Sequence, residues 1–202
     1  MIIKHSGKCP KIDKTAYVAP NATICGDVLV GKNTRILFGA QIIAESSPIK
    51  IGDNCIILEN AVIRGTKDLP VRIGNNCLIG PNTHLAGCAI ENNVFLATSV
   101  SIFHGATVMK GAEIRVNGIV HLKTTFPENE ILPIGWIAVG NPMKMFPPDK
   151  HEDIWEIQRK MDFPNLVYNI SNRDDLFHLN ERLCQTMSER LSEHRNDEII
   201  QY

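Results

Sequence analysis

The stretch Ile73-Gly-Asn-Asn-Cys-Leu-Ile79-Gly-Pro-Asn-Thr-His-Leu85 returns an aliphatic residue at every sixth position. Gly follows the first two of these, and Asn stands two residues further on. A helix face recurs about every 3.6 residues and a strand face about every 2. The longer beat is therefore that of a structural repeat.

Working outward, the beat runs through Ile12, Val18 and Ile24, then Val30, Ile36 and Ile42. After an insertion at 45–50 it resumes at Ile51, Ile57 and Ile63, and a second insertion at 65–72 precedes Ile73. Beyond Leu85 it continues as Ile90, Leu96 and Ile102 after a five-residue step, then Val108, Ile114 and Val120, and finally Phe126. Three short strands per coil, each with one inward aliphatic, describe a triangular prism whose every turn covers the open face of the last. The fold class is an all-β solenoid, a parallel β-helix of about six coils with C-terminal α-helices.

The corners support this register independently. Three residues after the first-strand aliphatics stand Thr15, Asn33, Asn54, Asn76, Asn93 and Gly111; after the second-strand ones stand Asn21, Gly39, Asn60, Asn82, Ser99 and Asn117. Asn and Gly tolerate left-handed φ most cheaply, and tight corners demand it.

Residues 1–11 read as a lead-in strand, and 1–146 as the β-helix with its closing turn. Residues 147–202 read as a helical extension. In it, 149–160 places Ile154, Ile157 and Met161 at helical spacing with Asp149 as N-cap, and Phe163-Pro-Asn ends that helix. Residues 174–196 then set Leu176, Leu179, Leu183, Met187 and Leu191 on one stripe, as expected of a helix packed on a prism face or a neighbouring subunit.

The 202 residues carry 21 Lys and Arg against 22 Asp and Glu, which indicates no nucleic-acid footprint and no polybasic membrane patch. The N-terminus lacks a signal-peptide apolar run and no stretch has the length of a membrane span, so a cytoplasmic protein is expected. The six cysteines show neither CxxC nor zinc-ribbon spacing and read as reduced thiols. Cys55 and Cys77, at equivalent places in consecutive coils, read as a stacked column of small apolar residues.

Tyr17-Val-Ala-Pro-Asn-Ala-Thr-Ile-Cys-Gly-Asp-Val, the coil pattern and Val139-Gly-Asn-Pro-Met-Lys resemble the hexapeptide-repeat γ-class carbonic anhydrases and their relatives. The resemblance covers roughly residues 12–160 and implies a left-handed β-helix and a homotrimer. Active members resemble one another in holding a metal, usually zinc, with three histidines. At those positions this chain has Arg64, Pro81 and Ala86, which cannot ligate zinc in that way. The family's Arg-Gly-Asp element is replaced by Ile43-Ala44-Glu45, and its Gln-Asp pair by Leu58-Glu59. Hydration of carbon dioxide needs a metal-activated water. The expectation is a member without zinc-dependent hydratase activity, with no cofactor and with zinc or another divalent metal disfavoured.

Candidate residues remain. His84 precedes the inward Leu85, and His104 and His121 follow third-strand aliphatics. Rungs rise about 4.8 Å, so His84 and His104 are placed to approach one another at one corner. They read as polar or stacked surface histidines, as a relocated metal site with Glu45 or Glu59, or as a general base. Arg64 reads as the partner of Glu59 or Glu45, or as an anion site for a small-molecule ligand.

Two other functions stay open. The Val139-Gly-Asn-Pro-Met-Lys turn is common to hexapeptide acyltransferases, which would use acetyl-CoA and a His base such as His84, His104 or His121. The run Ile42-Ile-Ala-Glu-Ser-Ser-Pro-Ile-Lys-Ile-Gly-Asp is similar to a coil of the small pointed-end dynactin subunits, where this fold is a structural and interaction module.

Overall fold

Stacked inward aliphatics and left-handed corners build the prism directly. The computed structural model describes residues 1–66, 68–170 and 176–200. On the first face Ile12, Val30, Ile51, Ile73, Ile90, Val108 and Phe126 lie in parallel register, one per rung. The second face stacks Val18, Ile36, Ile57, Ile79, Leu96, Ile114 and Leu132 in the same way. The third stacks Ile2, Ile24, Ile42, Ile63, Leu85, Ile102, Val120 and Ala138. From Ile24 to Ala138 these residues are buried and form one continuous core. The molecule is a left-handed β-helix.

It has more turns than the sequence reading expects. Phe126, Leu132 and Ala138 complete a seventh turn, and with the strand Ile2–Lys4 stacked on Thr23–Val30 the solenoid reaches about eight. Leu132 keeps the six-residue step, but Pro127, Glu128, Glu130 and Pro133 surround it and Ala138 is small, which hides the turn in the pattern.

At the corners, Asn33, Asn54, Asn76, Asn93, Gly111, Gly39, Asn60, Asn82, Ser99 and Asn117 all take left-handed φ. Thr15 and Asn21 do not. Thr15 is held by Asp13 Oδ1, which accepts its backbone N–H at 2.9 Å, and Asn21 Oδ1 accepts the N–H of Gly39 at 3.1 Å. Corner side chains also stack: Asn76 Nδ2 donates to Asn93 Oδ1 at 3.2 Å.

The solenoid closes with Ile137–Val139, which pairs antiparallel with Lys144–Phe146. Helix α1, His151–Gln158, buries Ile154 against Ile137 and Val139. Asp149 is not its N-cap; Lys150 occupies that place without a side-chain cap bond. Phe163-Pro-Asn does not merely break the chain either. A left-handed Asp162 turns it, and the Pro, fixed near helical φ, opens helix α2, Phe163–Tyr168. Helix α3 is Leu176–Leu191, ending in a 3₁₀ turn at Ser192–Asn196. On its stripe Leu179 is buried, Leu183 and Met187 are half-buried and Leu191 is exposed, while residues 171–175 and the Leu176 side chain lie outside the described part. The chain then returns to its start: Glu198–Ile200 pairs antiparallel with Ile2–Lys4.

Candidate functional site

The third face and its corners carry every candidate residue except Glu59. Arg64 and Ala86 are register partners on adjacent rungs, and Ile43 is Arg64's partner on the other side. Alternation along Val62–Gly65 buries Ile63 and turns Arg64 outward. Its guanidinium pairs with Glu45 Oε2, and the Glu45 side chain is only 5% exposed against 33% for Arg64. Glu59 is half-buried at the second corner and does not take part; only its backbone carbonyl is engaged, accepting from the Asn82 N–H at 2.9 Å.

His84 lies on the same strand as Ala86, in register with Val62 and Ser101. Burial first, then the Arg64 cation, pushes its pKa below the usual histidine range. His104 sits two residues beyond the strand Ser101–Ile102, next to Gly105, whose N–H donates to the Gly87 carbonyl at 2.7 Å. It is buried, with the Phe163 ring edge-on at 6.1 Å between centroids. Burial, and then the charges of His84 and Arg64, push it down to about 4. His121 is likewise buried, stacks on Phe103 at 5.3 Å and is pushed down to about 4 by burial. Nδ1 of both His104 and His121 has no hydrogen-bond partner.

His84 contributes to the shift at His104, and among the described residues no carboxylate completes a group of three potential metal donors with them. Glu45 is committed to Arg64. Pro81 stands at a different corner, after the second-face strand Leu78–Ile79. A pocket of about 210 Å³ opens beside Glu45, lined among others by His5, Lys8, Asp27 and Ser47. Cys55 and Cys77 are free and buried, each directing Sγ–H to backbone carbonyls, at 3.0 Å to Gly74 and Glu91 respectively.

Sequence reasoning missed one cluster: His5, Cys25, His194 and Asp197, whose ligand atoms all lie within 4.8 Å of one another. Among the described residues it is the one group of three or more potential metal donors. Burial, and then the Asp197 carboxylate, push the Cys25 thiol up to about 11. Burial tends to raise Asp197, but hydrogen bonds from His194 and His5 outweigh it and hold the carboxyl below its usual range. No local signal announces the group, because His5 and Asp197 are 192 residues apart.

No family model matches the chain. It is 29% identical over 167 residues to γ carbonic anhydrase 1 of Arabidopsis thaliana, a mitochondrial protein, covering 79% of this chain and 58% of that one. It is 28% identical over 171 residues to a carbonic anhydrase of Geobacillus kaustophilus, covering 79% and 84%. Several of the relatives that it matches are γ carbonic anhydrases. The chain spans 58% and 53% of the length of two plant γ carbonic anhydrases it matches. Among solved structures, a hexapeptide transferase family protein of Anaplasma phagocytophilum aligns with a TM-score of 0.48 at 23% identity, over 93% and 97% of the two chains. No helix among the described residues is long and apolar enough to cross a membrane.

Proposed function

We propose that this chain is a γ-carbonic-anhydrase-like β-helix protein without zinc-dependent carbon dioxide hydratase activity. The observation that supports the reading is the Arg64–Glu45 pair. At the positions the resemblance assigns to zinc ligands stand a guanidinium already neutralised by a buried carboxylate, its register neighbour Ala86, and Pro81. None donates an electron pair to a metal, and a cation there repels a second one. Zinc does not fit these residues, so no zinc-bound hydroxide is available to attack carbon dioxide. Hydration rates measured with zinc and with a chelator test this; the two are expected to match buffer alone.

The proposal includes self-association as a homotrimer. The outward side of the second face carries Tyr17, Arg35, Ile56, Leu78, Phe95, Glu113 and Ile131, five of the seven apolar, with Phe38, Val116 and Ile134 at the corner beside it. Tyr17, Phe95 and Ile131 are more than 40% exposed, an apolar strip of the kind that marks an interface. Light scattering is expected to give about three times 22.5 kDa. A monomer at micromolar concentration contradicts it.

A further inference from the structure

The cluster at the chain ends has the chemistry of a cation site. His5 Nε2 lies 3.1 Å from the Glu45 backbone carbonyl, which only accepts, so Nε2 carries the proton. In the neutral ring Nδ1 then holds a lone pair, yet it faces Asp197 Oδ1 at 2.6 Å. His194 Nδ1 lies 2.8 Å from Asp197 Oδ2, so each carboxylate oxygen faces an imidazole nitrogen. Two electron pairs do not approach so closely without a proton or a metal ion between them. The two rings are stacked with centroids 4.3 Å apart, so both Nδ1 atoms face the same carboxylate. A single divalent ion could stand in place of the protons at both Nδ1 atoms, with the carboxylate as the shared ligand.

The fourth donor is Cys25 Sγ, 4.0 Å from Asp197 Oδ2. Two imidazoles, a thiolate and a carboxylate make a four-ligand set suited to tetrahedral, borderline-soft metals. Metal–nitrogen bonds near 2.0 Å and metal–sulfur bonds near 2.3 Å set tetrahedral donor–donor edges of roughly 3.3–3.8 Å. The two Nδ1–Oδ separations, 2.6 and 2.8 Å, are shorter than those edges and the Sγ–Oδ2 separation, 4.0 Å, is slightly longer, so the imidazoles draw back from the carboxylate when an ion enters. The Glu45 carbonyl fixes the His5 tautomer, the role an outer-shell acceptor plays at many metal sites. His5 and Cys25 are each 3% exposed, while His194 and Asp197 close the site from the rim.

We propose that His5, Cys25, His194 and Asp197 bind one zinc-class divalent ion as a structural clasp. The ion ties the C-terminal segment to the first rungs of the solenoid, beside the Ile2–Lys4 and Glu198–Ile200 ladder. Four protein ligands leave no open coordination position, so the clasp is compatible with a chain that lacks hydratase activity.

The test is cobalt titration of the metal-free full-length chain. One cobalt per chain is expected to develop tetrahedral visible bands and a sulfur-to-cobalt charge-transfer band. Cys25→Ser removes the charge-transfer band; Cys9→Ser and Cys184→Ser, at exposed free thiols, leave it. His194→Ala, at the rim, weakens binding at least tenfold and lowers the rise in Tm that the same zinc concentration gives the unaltered chain. No saturable absorption, or a charge-transfer band that survives Cys25→Ser in a variant with unchanged circular dichroism, overturns the proposal. These readouts involve no carbon dioxide, so failure of the clasp and failure of the non-hydratase reading are separately visible.

Discussion

Arg64 and Glu45 form an ion pair in which the carboxylate is 5% exposed and the guanidinium 33%. The two partners are therefore not equivalent. Arg64→Ala leaves the carboxylate buried without its cation, whereas Glu45→Ala leaves an arginine that reaches water. Removing one partner of a fully buried pair costs about 3–5 kcal/mol, and partial exposure reduces this. The expected losses are about 2 kcal/mol for Arg64→Ala and about 1 kcal/mol or less for Glu45→Ala, read from urea midpoints. The reverse order would contradict the assignment of Glu45 as the buried member.

Asn76, in the stretch that reveals the repeat, has φ 57° and donates to Asn93. Asn76→Ala forces a Cβ-bearing residue without a polar side chain into the left-handed region, at a cost of about 1 kcal/mol. Asn76→Gly loses the side-chain bond but gains the freer backbone, and is expected to fall within about 0.5 kcal/mol of the parent. Equal losses in both variants would show that the stacked amide, not the backbone conformation, sets the requirement.

Gly26 and Gly7 separate conformation from crowding. Both have positive φ, +82° and +74°. A Cβ on Gly26 would stand 2.5 Å from the Ala44 carbonyl oxygen, while one on Gly7 meets nothing within 4 Å. Gly7→Ala is expected to cost about 1 kcal/mol and Gly26→Ala at least about 2 kcal/mol more. Differential scanning calorimetry gives the comparison directly.

His104 and His121 make stability depend on pH. Both are pushed from 6.5 down to about 4 when folded. Below 6.5 the unfolded chain takes up protons that the folded chain refuses. Their contribution is therefore full above about pH 6.5 and is lost as pH falls towards 4. Within that window each adds a slope of about 1.4 kcal/mol per pH unit. His121→Phe keeps an aromatic ring against Phe103 and is expected to remove one such slope. An unchanged pH profile in this variant contradicts the burial of a neutral His121.

The prism was legible because its determinants repeat: one inward aliphatic per strand and Asn or Gly at the corner are each written many times over. The last turn was hidden where that redundancy fails, at Leu132 among prolines and charges and at Ala138. The site divides similarly. The family resemblance singles out Arg64, Pro81 and Ala86, the repeat fixes their rung, and Glu45 lies within reach of Arg64 by the same register. Which carboxylate Arg64 chooses depends on the 45–50 insertion, whose path no period specifies. The His5–Asp197 cluster was invisible because it forms only when the last segment returns to the first strand, a long-range contact without a local pattern.

The central claim is that Arg64, Pro81 and Ala86 leave this β-helix without hydratase chemistry. Stopped-flow hydration of carbon dioxide by the zinc-saturated chain, before and after chelation, tests it most directly. The account predicts the buffer rate in both conditions. A rate above buffer that disappears on chelation would contradict it.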